Sequence, residues 1–281
     1  MAPPRFPQGM TLYTIGYSTL KYPALPPELP VPLCNQIGVL QRAPSEEEQN
    51  HGIAQLASQY LPALLEFQSS DDPQLNDEKS AQYWFSTALC LLNLLTTNPD
   101  VCAVIVKHPT VVHDVIEKLL DPEIETKMKA CGRLDAGPQF APARFEDEFG
   151  TLLQFLSTIL LHHPEKTEEL HPRIHELIPK LKTWQRKYER STVRTIDNAS
   201  KRLVSQIEGM DPNTVNYMRS MQATSVQCGF VACDKKTDLT ACSACKIQRY
   251  CGREHQKKDW KYHKHICNKG LIEESASAAE E

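Results

Sequence analysis

The sequence contains no hydrophobic run long enough to cross a membrane. Its most apolar stretches, such as VCAVIV at residues 101–106, fall far short of the ~20 apolar residues that a transmembrane helix needs. The N-terminal stretch MAPPRFPQGMTLYTIGY lacks the apolar segment of a secretory signal peptide. These absences favour a soluble intracellular protein, cytoplasmic or nuclear or both, that has no membrane partner.

Familiar catalytic fingerprints are also absent. The glycines form neither a P-loop nor a dinucleotide-binding pattern, and no Gly-x-Ser-x-Gly nucleophile motif occurs. His113 and His175 recur at matching places of an internal repeat, but no third ligand recurs with them. We interpret both as residues of a helix surface or of packing. The sequence therefore predicts a protein that is not an enzyme.

Charge is nearly balanced over the whole chain but not along it. The net charge is -4, which gives no reason to expect a nucleic-acid or membrane partner from bulk charge alone. Residues 221–270, however, contain 10 basic and 4 acidic residues. The C-terminal region is therefore locally basic, and metal-bound thiolates there would cancel part of that charge.

Helical periodicity dominates residues 45–222. The stretch from Ser45 opens with a capping serine and acidic residues, and residues 76–98 predict a central helix that is apolar nearly all round. The pattern HPTVVHDVIEKL at 108–119 resembles HPRIHELIPKL at 171–181. A helix is expected at 183–210 with an interruption near residues 190–191, and a short capped helix that begins with Asp211 is expected at 211–222. We predict a mainly α protein with an armadillo- or HEAT-like repeat region.

Two flanking segments have compositions unlike the helical region. Residues 1–44 predict an extended arm, because eight of the 20 prolines lie between Pro3 and Pro32. Residues 271–281 end in EESASAAEE and predict a disordered acidic tail. Together with a cysteine-rich segment at 228–267, these give four predicted regions: 1–44, 45–222, 228–267 and 271–281.

The ten cysteines fall into two classes. Cys34, Cys90, Cys102 and Cys131 are scattered, and we interpret them as small buried apolar residues. The other six combine with two histidines in the spacing Cys-x4-Cys, Cys-x2-Cys, Cys-x3-His, His-x3-Cys. Eight ligands suffice for two tetrahedral zinc ions, and the ligands are Cys228, Cys233, Cys242, Cys245, Cys251, His255, His263 and Cys267.

The spacing leaves two ways to divide these ligands. The two ligands of each Cys-x3-His or His-x3-Cys pair lie one helical turn apart. The Cys-x4-Cys and Cys-x2-Cys segments each form a turn that presents two sulfurs. Sequential pairing would join the two turns at one ion and the two helical pairs at the other. Interleaved pairing would join each turn to one helical pair. His265 is expected to point away from both ions, because a helix rotates it roughly 200° from His263.

The segment ACSACKIQRYCGREHQKKDWKYHKHIC resembles a MYND-type zinc finger. The similarity lies in Cys-x2-Cys, the aromatic Tyr250 before Cys251, Gln256, Trp260 and His-x3-Cys. It implies interleaved pairing: Cys228, Cys233, Cys251 and His255 on one zinc, and Cys242, Cys245, His263 and Cys267 on the other. The chain departs from the family in its wider first turn, with four intervening residues, and in having His255 where cysteine is frequent. Both zinc ions would be structural, since protein ligands fill all four positions.

The resemblance also implies a function. MYND fingers are protein-interaction modules, and several bind peptides of the form Pro-x-Leu-x-Pro, a string that this chain carries itself at residues 23–27. We therefore expect an adaptor in transcriptional or signalling regulation, whose arm could occupy its own finger. Some MYND fingers belong to lysine methyltransferases, but Asn50-His51 is followed by Gly-Ile rather than by the cofactor signature of those enzymes.

A nucleic-acid-associated regulator is the alternative. If residues 252–267 form one helix, Arg253, Lys257, Lys261 and Lys264 share a stripe of roughly 80° on the side away from the ligands. Such a stripe is typical of phosphate binders, although a solvated helix face produces the same pattern. Trp260 is expected to pack near the ligand side instead of interleaving with the basic residues.

Overall fold

The computed structural model describes residues 45–69, 78–79, 81–85, 87–108, 110–131, 145–163 and 167–267. The predicted arm at 1–44, the predicted tail at 271–281, the Pro-x-Leu-x-Pro string and Cys34 lie outside these residues. Among the described residues, no helix is both long and apolar enough to span a bilayer.

The described chain is mainly helical, as predicted. The helices are α1 (Glu46–Gln68), α2 (Ala81–Trp84), α3 (Thr87–Leu95), α4 (Pro99–Ile105), α5 (Val111–Leu120), α6 (Ile124–Cys131), α7 (Phe145–His162), α8 (Thr167–Leu170), α9 (Leu177–Tyr188), α10 (Thr195–Ile207), α11 (Pro212–Ala223) and α12 (Arg253–His263). A 3₁₀ turn (Ile174–Glu176) precedes α9, and strands β1 (Thr240–Ala241) and β2 (Arg249–Tyr250) pair antiparallel.

Capping residues begin helices where the sequence predicts them. The Ser45 hydroxyl accepts the Glu48 N–H at 3.1 Å at the start of α1, whose first turn carries three glutamates that favour a helix N-terminus. Asp211 accepts the Thr214 N–H at 2.9 Å at the start of α11. The predicted interruption near residues 190–191 is confirmed, because α9 ends at Tyr188 and α10 begins at Thr195.

Two predictions for the region of α2 and α3 are wrong. The single helix expected over residues 76–98 is two helices, α2 and α3. Cys90 is exposed on α3, because that helix has a solvent face despite its apolar sequence, whereas Cys102 on α4 is fully buried as expected. An apolar sequence alone does not show which side of a helix lacks a neighbour.

The chain divides into two compact units. Among the described residues, the first unit combines 45–67, 97–104 and 220–267. The second unit combines the described residues within 68–96 and 105–219. The first unit thus joins the cysteine-rich segment to α1 and α4, whereas the sequence placed those helices in a separate domain. The predicted boundaries stay a prediction, since compactness does not test whether a segment folds alone.

In the second unit, α7, α9 and α10 pack together. Gly150 on α7 permits the close approach of α10, because a Cβ there would lie 2.9 Å from the Cβ of Thr195. The Ser157 hydroxyl donates to Gln206 Oε1 at 3.0 Å, and Gln206 Nε2 donates back to the Ser157 carbonyl at 2.8 Å. These reciprocal bonds fix the register of α7 against α10 inside an apolar core. Whether this packing is an armadillo- or HEAT-type repeat stays a prediction.

Candidate metal centre

The structure brings the eight predicted ligands together in two groups of four. One group contains Cys228, Cys233, Cys251 and His255, and the ligand atoms lie within 4.8 Å of one another. The other contains Cys242, Cys245, His263 and Cys267 at the same spacing. This is the interleaved division that the family resemblance implied, and it is one of the two divisions that spacing left open.

The distances within both groups fit tetrahedral zinc. For Zn–S bonds of about 2.3 Å and Zn–N bonds of about 2.0 Å, two sulfurs lie roughly 3.8 Å apart and a sulfur lies roughly 3.6 Å from a nitrogen. The Sγ atoms are 3.8 Å apart for Cys233 and Cys251, and 3.9 Å apart for Cys242 and Cys267.

The histidine nitrogens lie at similar corners. Nδ1 of His255 is 3.6 Å from Sγ of Cys228, and Nε2 of His263 is 3.6 Å from Sγ of Cys245. The shortest edge, 3.1 Å between Cys251 Sγ and His255 Nδ1, joins residues one helical turn apart. The two histidines therefore present different ring nitrogens, and each group has three thiols, one imidazole and no corner left for water or substrate.

The first turn, residues 228–233, has four residues between its cysteines and is held by a backbone hydrogen bond and by side-chain packing. Gly229 donates its N–H to the Arg249 carbonyl at 2.7 Å, and a Cβ on Gly229 would lie 2.0 Å from Nε2 of the buried Gln248. Any larger residue at position 229 would have to displace the Gln248 side chain. Phe230 inside the turn packs on the His255 ring, with centroids 4.8 Å apart, so the extra residues support a ligand.

The second turn, residues 242–245, is held by backbone hydrogen bonds. The Cys242 N–H donates to the Gln248 carbonyl at 2.7 Å, and the Lys246 N–H donates to the Cys242 carbonyl at 3.0 Å. Lys246 adopts a left-handed backbone conformation with φ of 60°, which is unfavourable for a residue with a side chain. The tight turn that presents both sulfurs requires this conformation.

The second group holds one of its sulfurs as a thiolate. Hydrogen bonds from Cys267 and His263 hold the pKa of Cys245 well below its usual range, although burial acts in the opposite direction. Backbone N–H groups of Gln248 and Ile247 lower this pKa further. Because zinc binds the thiolate and not the thiol, Cys245 is suited to bind a cation.

Helices α1 and α4 hold the cysteine-rich segment within the first unit. The Arg249 guanidinium on β2 binds the Asp100 carboxylate on α4 through two hydrogen bonds of 2.6 and 2.5 Å. Gln227 donates to the Glu47 carbonyl on α1 at 2.8 Å, and Lys236 lies 3.4 Å from the Glu47 carboxylate. Sequence reasoning missed these contacts, because no local pattern joins residues so far apart in the chain.

Comparison with known proteins agrees with the geometry. Residues 226–267 match the family model described as MYND finger. The chain carries a C-terminal MYND finger. Its two groups of cysteine and histidine ligands fit zinc binding, and no solved structure shows a significant match to the chain.

Two curated relatives match this chain over a short segment. Egl nine homolog 1 from Homo sapiens is 49% identical over 35 residues, which are 12% of this chain and 8% of that protein. Egl nine homolog 1 from Mus musculus is 45% identical over 38 residues, 14% of this chain and 10% of that protein. The chain thus spans about a tenth of the length of these relatives or less.

Three histidines and one tryptophan that were not predicted as ligands from the sequence are all exposed. His265 is exposed and belongs to neither ligand group, as expected. His113 and His175 are both exposed on the helical surface. Trp260 was expected to pack, but 40% of its surface is exposed, although its ring lies 5.9 Å from that of His263.

A third cluster, His113, Glu117 and His171, was not found from the sequence. Nε2 of the buried His171 lies 2.8 Å from Oε1 of Glu117. That is shorter than the roughly 3.3 Å expected between nitrogen and oxygen ligands of one zinc. Nδ1 of His171 also accepts the Arg173 N–H at 3.1 Å, whereas a metal on Nε2 would require a proton on Nδ1. The cluster therefore fits a polar contact beside the Arg173–Glu117 ion pair of 3.3 Å, and not a metal site.

The basic stripe is exposed on α12 and in the turn after it. Arg253, Lys257, Lys261 and Lys264 all face solvent, and none forms an ion pair with another described residue. Lys261 instead lies over the Tyr262 ring, 4.6 Å from its centroid. Tyr262 is 63% exposed.

Proposed function

We propose that this chain is a zinc-stabilised adaptor that binds other proteins through its MYND finger and acts in transcriptional or signalling regulation within the cytoplasm, the nucleus or both. The helical region serves as the scaffold that carries the finger. Each ligand group would hold one zinc ion with a structural role. The adaptor performs no catalysis of its own.

The observation that carries this proposal is the closed geometry of the two ligand groups. Three thiols and one imidazole occupy the four corners of each tetrahedron, so a bound zinc would have no open position for a substrate. Zinc bound in this way contributes folding free energy and leaves the surface of the finger for partners. The exposed Trp260 and Tyr262 are suited to such contacts, because aromatic residues are enriched at protein interfaces.

The favoured partner is a proline-containing segment of the Pro-x-Leu-x-Pro type. An extended proline segment loses little conformational entropy when it docks beside aromatic side chains. The chain's own residues 23–27 offer such a segment, so the arm and an external partner would compete for one site.

The test uses the full zinc-loaded chain with Pro23→Ala and Leu25→Ala, so that its own arm does not compete. We expect a labelled peptide of residues 21–29 to bind saturably, and binding to be lost after chelation or when the peptide carries Leu25→Ala. Equal binding of both peptides would contradict the proposal. If the two substitutions leave the NMR shifts of the finger unchanged, docking of the arm on its own finger is wrong.

Nucleic-acid binding is the second candidate, because the exposed cations of α12 have no acidic partner among the described residues. Phosphate binding through these side chains would weaken steeply with added salt. We would accept this function only if generic duplex DNA binds the full chain in a salt-dependent way and Lys257→Glu with Lys261→Glu abolishes that binding.

A further inference from the structure

Helix α1 brings a hydroxyl to the second ligand group. Oγ of Ser58 lies 3.7 Å from Sγ of Cys245, and 187 residues separate the two in the chain. Both side chains are almost fully buried, Ser58 at 1% and Cys245 at 4% exposure. Both residues belong to the first compact unit. The contact therefore lies inside one packed body, away from solvent.

The hydroxyl has two acceptors within reach. Ser58 donates to the Ala54 carbonyl one turn earlier, at 2.8 Å. Zinc binds the thiolate form of cysteine, which is a hydrogen-bond acceptor only. The single Ser58 proton then lies between the Ala54 carbonyl and a charged sulfur.

Metal-bound ligands are usually held by an outer layer of hydrogen bonds, which orients them and tunes the metal. The imidazole of the second group has no such bond in the described part of the chain, since Nδ1 of the buried His263 has no hydrogen-bond partner there. Ser58 reaches the same group from α1, outside the finger.

We propose that Ser58 is a positioning residue of the second metal centre, and that its hydroxyl donates a hydrogen bond to the zinc-bound thiolate of Cys245. The metal centre then extends beyond the residues that match the MYND family and includes α1. The inference rests on the proposed function, since it requires zinc in the second ligand group.

Removing the Ser58 hydroxyl should weaken the binding of zinc at the second group and leave the first group unchanged. A hydrogen bond donated to a thiolate withdraws charge from the sulfur, so removing it makes the sulfur more reactive toward electrophiles. Loss of an outer-layer partner typically weakens metal binding about 10–100-fold. Ser58→Ala should therefore release one zinc to a chelating dye at least about tenfold faster, with the other unchanged.

The experiment compares full-length, zinc-loaded wild type, Ser58→Ala, Ser58→Thr and Ser200→Ala. Ser200 is a matched control, because its hydroxyl is fully buried in α10 and lies outside the finger. Zinc transfer to the dye is timed, and alkylation of Cys245 is mapped by mass spectrometry. The charge-transfer band of the cobalt-substituted protein is recorded as an independent signature of the thiolate. Ser58→Thr retains the hydroxyl and should resemble wild type.

The outcomes separate this inference from the proposed function. If wild type binds no metal at the second group, the proposed function fails first. If zinc is bound but Ser58→Ala matches Ser200→Ala in release, alkylation and cobalt spectrum, only the role of Ser58 is wrong. If Ser58→Ala does not fold, Ser58→Val is compared with Ser58→Thr, because these two side chains have the same shape and differ only in the hydroxyl.

Discussion

Tyr250 illustrates how one side chain of the finger supports the metal ligands beside it. It immediately precedes Cys251, is 2% exposed, and donates its hydroxyl to Asp259 Oδ2 on α12 at 2.7 Å. Burial, together with the neighbouring Asp259 carboxylate, raises the pKa of Tyr250, so the phenol stays protonated and remains a donor. The aromatic residue recognised in the motif therefore ties β2 to the helix that carries both histidine ligands.

Removing this hydroxyl should destabilise the finger. Tyr250→Phe leaves the buried Asp259 carboxylate without its donor, which typically costs about 1–3 kcal/mol. We expect a lower denaturant midpoint for zinc release from the loaded chain. Tyr262→Phe is the control, because Tyr262 is 63% exposed and its hydroxyl can be replaced by water. Equal midpoints for the two variants would contradict this role of Tyr250.

Eight candidate ligands could be selected from the sequence, because metal sites use few residue types at fixed spacing. The eight residues that the spacing singled out are the ones that the structure gathers. Ser58 and the cluster around His171 could not be found in this way. Their partners lie in other helices, and no spacing rule connects them.

At the scale of elements, helix ends were predicted better than helix environments. Ser45 and Asp211 are caps whose chemistry is local, so the starts of α1 and α11 followed from the sequence. The exposure of Cys90 depends on which neighbours cover α3, and that is a property of tertiary packing. A helix cap depends on residues that are close in sequence, whereas the burial of a residue depends on residues that are distant in sequence.

The pairing of β2 with α4 gives an element-scale prediction. Arg249 binds Asp100 through two hydrogen bonds, and Asp100 is mostly buried with a side-chain exposure of 12%. A lysine at position 249 would keep the positive charge but could not form the two parallel hydrogen bonds of the guanidinium. We expect Arg249→Lys to lower the free energy of unfolding of the first unit by about 1 kcal/mol.

The control for Arg249→Lys is Lys235→Gln. Lys235 and Asp238 lie 3.8 Å apart at exposed positions, and pairs of this kind contribute little to stability. Both variants are measured by chemical denaturation of the zinc-loaded chain. An Arg249→Lys variant as stable as Lys235→Gln would show that the contact with α4 does not hold the finger.

At the scale of the whole molecule, the two compact units differ in what holds them together. The second unit has an apolar core formed by α7, α9 and α10, with Phe149, Trp184 and Leu203 fully or almost fully buried. The finger in the first unit is built around its two ligand groups and buries few large apolar side chains besides Ile247 and Tyr250. Zinc should therefore supply folding free energy to the first unit and little to the second.

Zinc removal should separate these contributions. Metal analysis of the purified chain should give about two zinc per molecule; three would imply that His113, Glu117 and His171 also bind metal, and one would count against the group with Cys228 and Cys233. We expect chelation to abolish part of the far-UV helical signal, because α1 and α4 lose their partner. The second unit should still unfold cooperatively on heating. Loss of all helical signal in one step, or no change in thermal unfolding, would contradict this division of stability.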